Sequence, residues 1–183
     1  MKSAIRKSMT GGLVLLLVVV AVAMVPTRAS AAEQLFMLVP GIPGGSQVSG
    51  RTGWIDIFSF SGGAVAPVTS TQQNSPTKPT PCQLAVQKQL DIAGPRLWVA
   101  TVTGQIFNNV DIQVTTTGAG SFVVYDILLT NVQFTSVSDG GAAGGGLPSE
   151  SVSLKAANVS LTFTPQNPDG SAGTPVTTSF SCN

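Results

Sequence analysis

Eight acids, two cysteines and two tryptophans are the residues of this chain that could do chemistry, and no histidine accompanies them. Without an imidazole, neither a Ser-His-Asp nor a Cys-His arrangement can exist, and no zinc set can be completed. The acids (Glu33, Asp56, Asp91, Asp111, Asp126, Asp139, Glu150, Asp169) stand singly in separate runs. A glycosidase-type carboxylate pair is geometrically conceivable, but no spacing supports it. Asp139–Gly146 reads DGGAAGGG and lacks the Lys-Ser/Thr of a phosphate loop, so it is a connection. Asn167-Pro168-Asp169-Gly170 looks like a calcium-loop fragment without the spaced carboxylates, and a hairpin turn explains it better. Trp54 and Trp98 could stack on sugars, yet both sit in apolar runs and read as core. Asn158-Val159-Ser160 matches a glycosylation acceptor but falls inside an expected strand. No catalytic, cofactor-binding or metal-ligating residue emerges. The residues do not argue for an enzyme.

The start of the chain decides how the rest is read. Lys2, Arg6 and Lys7 precede the apolar run Leu13–Val25, which ends in Pro-Thr-Arg and the small-residue site Ala29-Ser30-Ala31. That run is 13 residues, short of the ~20 that a membrane-spanning helix needs. The pattern is that of a secretory signal peptide over 1–31, with an uncleaved anchor as the alternative. Residues 32–183 then form one domain, secreted or periplasmic in a bacterium, with no membrane association after cleavage. All eight acids but only five of the nine bases lie there, a net charge near −3. With no cluster of Lys or Arg, nucleic acid is not an expected partner. In an oxidising compartment Cys82 and Cys182 read as a candidate disulfide, with two separate buried thiols as the alternative.

The elements behind these residues are strands. Gln34–Val39 is a buried first strand that stops at Pro40-Gly41-Ile42-Pro43-Gly44-Gly45, and a polar, mobile loop follows to Gly53. In Trp54–Phe60, Trp54, Phe58 and Phe60 fall on one face and Ile55 and Ile57 on the other, both at least partly covered. Ala64–Pro81 is a proline-rich exposed loop within the domain; its PTKPTP gives little support to a proline-motif ligand. Gln83–Leu90 alternates, with Leu84, Val86 and Leu90 inward. Pro95 and Gly104 bracket one short helix, and Val110, Ile112 and Val114 mark the next strand.

The most informative stretch is Ser121–Gly170, two long strand-like runs folded on each other. Phe122, Val124, Leu128, Val132 and Phe134 share one parity, while Val123, Tyr125, Ile127, Leu129 and Val137 share the other. In the second run Val152, Leu154 and Ala156 keep one phase, and Val159, Leu161 and Phe163 keep the opposite one. That flip predicts a bulge or bend near Ala157-Asn158. Pro165–Gly170 turns the chain, and Val176–Cys182 closes the domain as a last strand.

Taken together, FMLVPGIPGGS, WIDIFSFSGG, the Gly94-Pro95-Arg96-Leu97 helix entry, YDILLTNVQFTSVSDGG and ESVSLKAANVSLTFTPQNPDGS resemble the Hcp family, the haemolysin-coregulated tube proteins of type VI secretion. The resemblance runs from about Phe36 to Phe180. It implies a mainly β fold: a barrel of two antiparallel sheets with one short flanking helix. It further implies a non-enzymatic subunit without cofactors that self-associates into rings, expected to be hexamers. Such rings stack into a tube whose lumen carries small effector proteins. The leader sets this chain apart, since the family's tube is built in the cytoplasm. A monomeric secreted or periplasmic binding module that reuses the barrel is the alternative, with Trp54, Trp98 or the long loops as its contact surface. A hydrolase with an acid pair comes third, and it requires two carboxylates facing one cleft.

Overall fold

Strands of this domain carry Val, Ile, Thr and aromatic side chains at alternate positions, the pattern that a pleated, half-buried surface accepts. The computed structural model describes residues 32–63, 82–117 and 120–182. The leader at 1–31 and the Ala64–Pro81 loop lie outside the described residues. Contacts gather residues 31–183 into one unit.

Among the described residues eight strands and one helix follow in order: β1 (Glu33–Leu38), β2 (Ile55–Gly63), β3 (Cys82–Gln89), α1 (Gly94–Thr103), β4 (Ile106–Thr116), β5 (Val123–Gly140), β6 (Ser149–Ala156), β7 (Asn158–Phe163) and β8 (Val176–Ser181). Every pairing is antiparallel. The sheet runs β4-β1-β2-β3-β6-β5-β7-β8, and β4 pairs back onto β5. Six strands thus close into a barrel, and closure removes their free edges. β7 and β8 remain as a two-stranded extension beside the first half of β5.

Where strands bend, the inward parity changes. In β2 the register steps from Ile57↔Lys88 to Ser59↔Gln87, so Phe58 and Ser59 together oppose one residue. This bulge leaves Phe58 outside and returns Phe60 to the inner side, opposite Val86. The single face expected for Trp54, Phe58 and Phe60 is corrected accordingly, and only the Ile55–Ile57 face is fully covered. β5 changes phase as well, burying Ile127 and Leu129, then Val132 and Phe134, then Val137. Asn131 absorbs the first change with a φ of 52°, and the register slips again between Phe134 and Ser136.

The flip expected near Ala157-Asn158 is the matching joint across from Asn131. Here β6 gives way to β7, and the two pair with different halves of β5. The Ala157 amide donates to the Thr130 carbonyl at 3.0 Å, and Asn158 Nδ2 donates to Thr130 Oγ1 at 2.9 Å. Asn158 is therefore exposed at a strand start and engaged across the sheet.

Pro95 occupies the first turn of α1, where its missing N–H costs nothing. Gly104 ends the helix at φ 65°, a left-handed cap that a Cβ would disfavour. Leu97 and Ala100 bury one side of α1, and Phe107 meets Phe134 edge-on at 5.4 Å in the same core. The Ser46–Gly53 loop, expected to be mobile, is tied down instead. Gly53 donates to the Ser46 carbonyl at 2.9 Å, and Ser46 donates to that of Trp54 at 3.0 Å.

Candidate functional site

Three places on the barrel gather the groups that could act. The first lies where β3, β6 and the start of α1 meet. Lys88 and Glu150 are fully buried there. Lys88 Nζ donates to Glu150 Oε2 at 2.6 Å, to Asp91 Oδ1 at 2.7 Å and to the Gln89 carbonyl at 2.9 Å. All three of its protons are engaged, so it is no free nucleophile. Asp91 also accepts from the amides of Ala93 at 3.0 Å and Gly45 at 3.1 Å, tying the helix entry to the first loop. Burial pushes the Glu150 carboxyl above its ordinary range, while the hydrogen bond and charge of Lys88 pull it back. A Cβ on Gly94 would stand 3.2 Å from Glu150 Oε1 and 2.8 Å from Leu90 Cδ1, so a larger residue here requires the Leu90 side chain to shift.

The second place is on the outer side of β4 and β5. Gln113 Nε2 donates to Asp111 Oδ2 at 2.9 Å and to Asp126 Oδ1 at 2.8 Å. Its Oε1 accepts from Arg51 Nη2, and the Arg51 guanidinium lies 4.8 Å over the Trp54 ring. Burial, then the hydrogen bond and charge of Asp126, push the Asp111 carboxyl up to about 7. Two carboxylates that appeared unrelated in sequence therefore share one site. Beside them lies a cavity of about 400 Å³ whose lining includes Gln34, Phe36, Val48, Arg51, Thr115 and Phe122. Neither Asp111 nor Asp126 lines it.

A test of this pair follows from linkage. The Asp111 proton is held more tightly in the folded chain than by an ordinary aspartate in the unfolded one. The folded state therefore binds the extra proton, and stability must fall as pH rises from about 4 to about 7. Thermal melts across that window are expected to show this decline for the wild type and a flatter profile for Asp111→Asn. Equal slopes would mean that Asp111 titrates normally.

The third place is the open end of the barrel beneath β7 and β8. Phe60, Leu84, Tyr125, Ile127, Leu161 and Phe180 are among the residues that line a cavity of about 220 Å³ there. The Cys82 and Cys182 sulfurs stand 2.04 Å apart, with Cα atoms at 5.5 Å, beside the same hollow. Phe60 and Tyr125 stack across it at 6.3 Å.

The tryptophans divide. Trp54 lies half-buried under Arg51, whereas Trp98 points outward from α1 with its Nε1 donating to Asp139 Oδ2 at 3.1 Å. Reading Trp98 as core is thereby corrected: the apolar run around it serves the outside of the helix. Among the described residues no group of three or more His, Cys, Asp or Glu could hold a metal ion. No helix among them is long and apolar enough to cross a membrane.

The family model for the type VI secretion system effector Hcp matches residues 36–163. The chain belongs to the Hcp family. No curated protein sequence matches it. The Hcp barrel is similar to a solved type six secretion system protein at 26% identity and a TM-score of 0.74, over 82% of this chain and 96% of that one. Hcp1 from Salmonella typhimurium aligns at 20% identity and a TM-score of 0.65, over 82% and 94% of the two chains. A type VI secretion system effector from Yersinia pestis aligns at 16% and 0.63, over 80% and 98%. The last two are similar in fold.

Two residues of this Hcp barrel escaped the sequence reading. Lys88 occupies the inward parity between Val86 and Leu90, and Glu150 precedes Val152 and Leu154 in theirs. A base and an acid at core positions of neighbouring strands were the available signal. Leu90, expected inward, is only half-buried just past the strand end.

Proposed function

We propose that this Hcp chain is exported by its leader at 1–31 and acts as a non-enzymatic, self-assembling ring subunit. The observation that carries the reading is the fold itself. It aligns with 96% of a solved type six secretion system protein, and the family model covers most of the barrel. A second observation supports self-association. Among the described residues β8 stands last in the sheet order, and its sequence, Val176–Ser181, carries no charge to discourage pairing. As the family resemblance implies, the ring is a hexamer whose lumen accommodates small secreted effector proteins. The leader places its work in the periplasm or outside the cell, where the Cys82–Cys182 bridge is stable.

Light scattering coupled to size exclusion, with negative-stain imaging, tests the reading on residues 32–183. Six-membered rings are expected. A strictly monomeric species at high protein concentration would overturn it.

A further inference from the structure

The Ser46–Gly53 loop is fastened to the barrel by one side chain. Among the described residues its hydrogen bonds stay within the loop or reach its own flanks at Gly44, Gly45 and Trp54, with a single exception. Arg51 Nη2 donates to Gln113 Oε1 on β4. The same guanidinium lies 4.8 Å over the Trp54 ring, and its Nε is buried without an acceptor. The latch therefore holds, with one bond still to make.

Its acceptor is a relay between two acids. The amide hydrogens of Gln113 go to Asp111 Oδ2 at 2.9 Å and to Asp126 Oδ1 at 2.8 Å. Asp111 Oδ1 is buried and meets no donor. Asp126 hydrogen-bonds to the Asp111 carboxyl, and two carboxyls can do so only when one of them carries a proton. A single proton held between the pair supplies the missing donor. Burial and the neighbouring acid raise the Asp111 carboxyl to about 7, in keeping with such a proton.

The surroundings leave Arg51 alone to answer its loss. Arg51 from the loop is the cation acting on Asp111, and Asp126 from β5 is the acid. Leu38 of β1 and Leu128 of β5 stand in register on either side of Asp111 and carry no charge. Thr162 of β7 pairs with Asp126. Asp56 of β2 is separated from Gln113 by Phe36, and Glu33 pairs with Thr116 at the other end of β1.

We infer that Asp111 and Asp126 share one proton, and that its release to solvent turns the Arg51 guanidinium from Gln113 and the Trp54 face onto the two carboxylates. While the proton is present, Arg51 has a neutral amide for its acceptor. Once it leaves, two like charges face each other, and bonds from a guanidinium to a carboxylate are roughly twice as strong as those to a neutral group. Arg51 is also the one charged residue that lines the cavity of about 400 Å³ beside this cluster. That cavity thus has a cationic wall in acid and a neutral one in base. Nothing in this switch depends on ring assembly, since all of its groups belong to one chain.

Trp54 reports the movement. Residues 32–183 carrying Trp98→Phe keep it as their one tryptophan. Acrylamide quenching of its fluorescence is expected to rise in a single step as the pH is raised, with a midpoint at about 7. Asp111→Asn has no proton to release and should give a level trace, with Trp54 still shielded. Arg51→Met should also remove the step. Because the Arg51 charge opposes protonation of Asp111, Arg51→Met should in addition move the pH-dependent decline in thermal stability to higher pH. Quenching that stays level in the folded Trp98→Phe protein overturns the switch. A step that survives Asp111→Asn assigns the titration to another group and overturns it equally, as does one that survives Arg51→Met. Circular dichroism verifies each fold, and Asp111→Asn, close to isosteric, decides alone if Arg51→Met does not fold.

Discussion

Lys88→Ala is expected to destabilise the barrel by about 3–5 kcal/mol, a large share of the roughly 5–15 kcal/mol that holds a domain folded. The cause is the charge left behind. Glu150 is fully buried, and Lys88 is the cation that its carboxylate contacts. Asp91 loses its cation too, and keeps only the amides of Gly45 and Ala93. Removing both charges should be far milder, because a buried ion pair replaced by apolar groups of similar volume is often neutral or stabilising. Lys88→Met with Glu150→Leu should thus recover most of the loss. Urea unfolding of the three proteins measures it. A Lys88→Ala midpoint close to that of the wild type would mean that water reaches Glu150 and solvates it.

Breaking the Cys82–Cys182 link should be the other large effect. The two residues are 100 positions apart, and the chain-entropy model assigns closure of such a loop ~4.7 kcal/mol. For a chain of this size the melting temperature should drop on the order of 10 °C. Alanine is the better replacement, since both sites are buried and a serine hydroxyl would lack a partner. Cys82→Ala with Cys182→Ala and wild type treated with reductant should melt together, below the oxidised protein. Mass spectrometry under non-reducing conditions should find the oxidised chain two hydrogens lighter than the reduced one. An unchanged melt on reduction would show that the link contributes nothing.

Much of this fold is legible in residue order because closed antiparallel sheets keep a strict inside and outside. Val110, Ile112 and Val114 alternate as read, and Pro95 and Gly104 bound the helix as read. The reading fails where two strands bend together. Phe58 and Phe60 lie on opposite sides because of a bulge whose cause is the register with Gln87, a residue far along the chain. The Asn131 kink is likewise visible only beside its counterpart at Ala157. The site residues follow the same rule. No periodicity joins Asp111 to Asp126, because what brings them together is the pairing of β4 with β5 and the amide of Gln113. Lys88 and Glu150 were detectable, since each breaks an apolar parity, but the salt bridge needs the partner strand to be known.

The seam between β1 and β4 governs the tempo at which this barrel is made. Glu33 pairs with Thr116, and Leu38 with Asp111, across more than seventy intervening residues. By contrast, only 6 residues separate β4 from β5, 8 separate β5 from β6 and 12 separate β7 from β8. The local hairpins can form early, while β1 must wait for β4 before it finds its place. Such non-local closure puts folding in the millisecond-to-second range rather than the microsecond range of local helical folds. Until it happens, the edges of β4 and β2 stand open, and the newly made chain is most prone to aggregation during that interval.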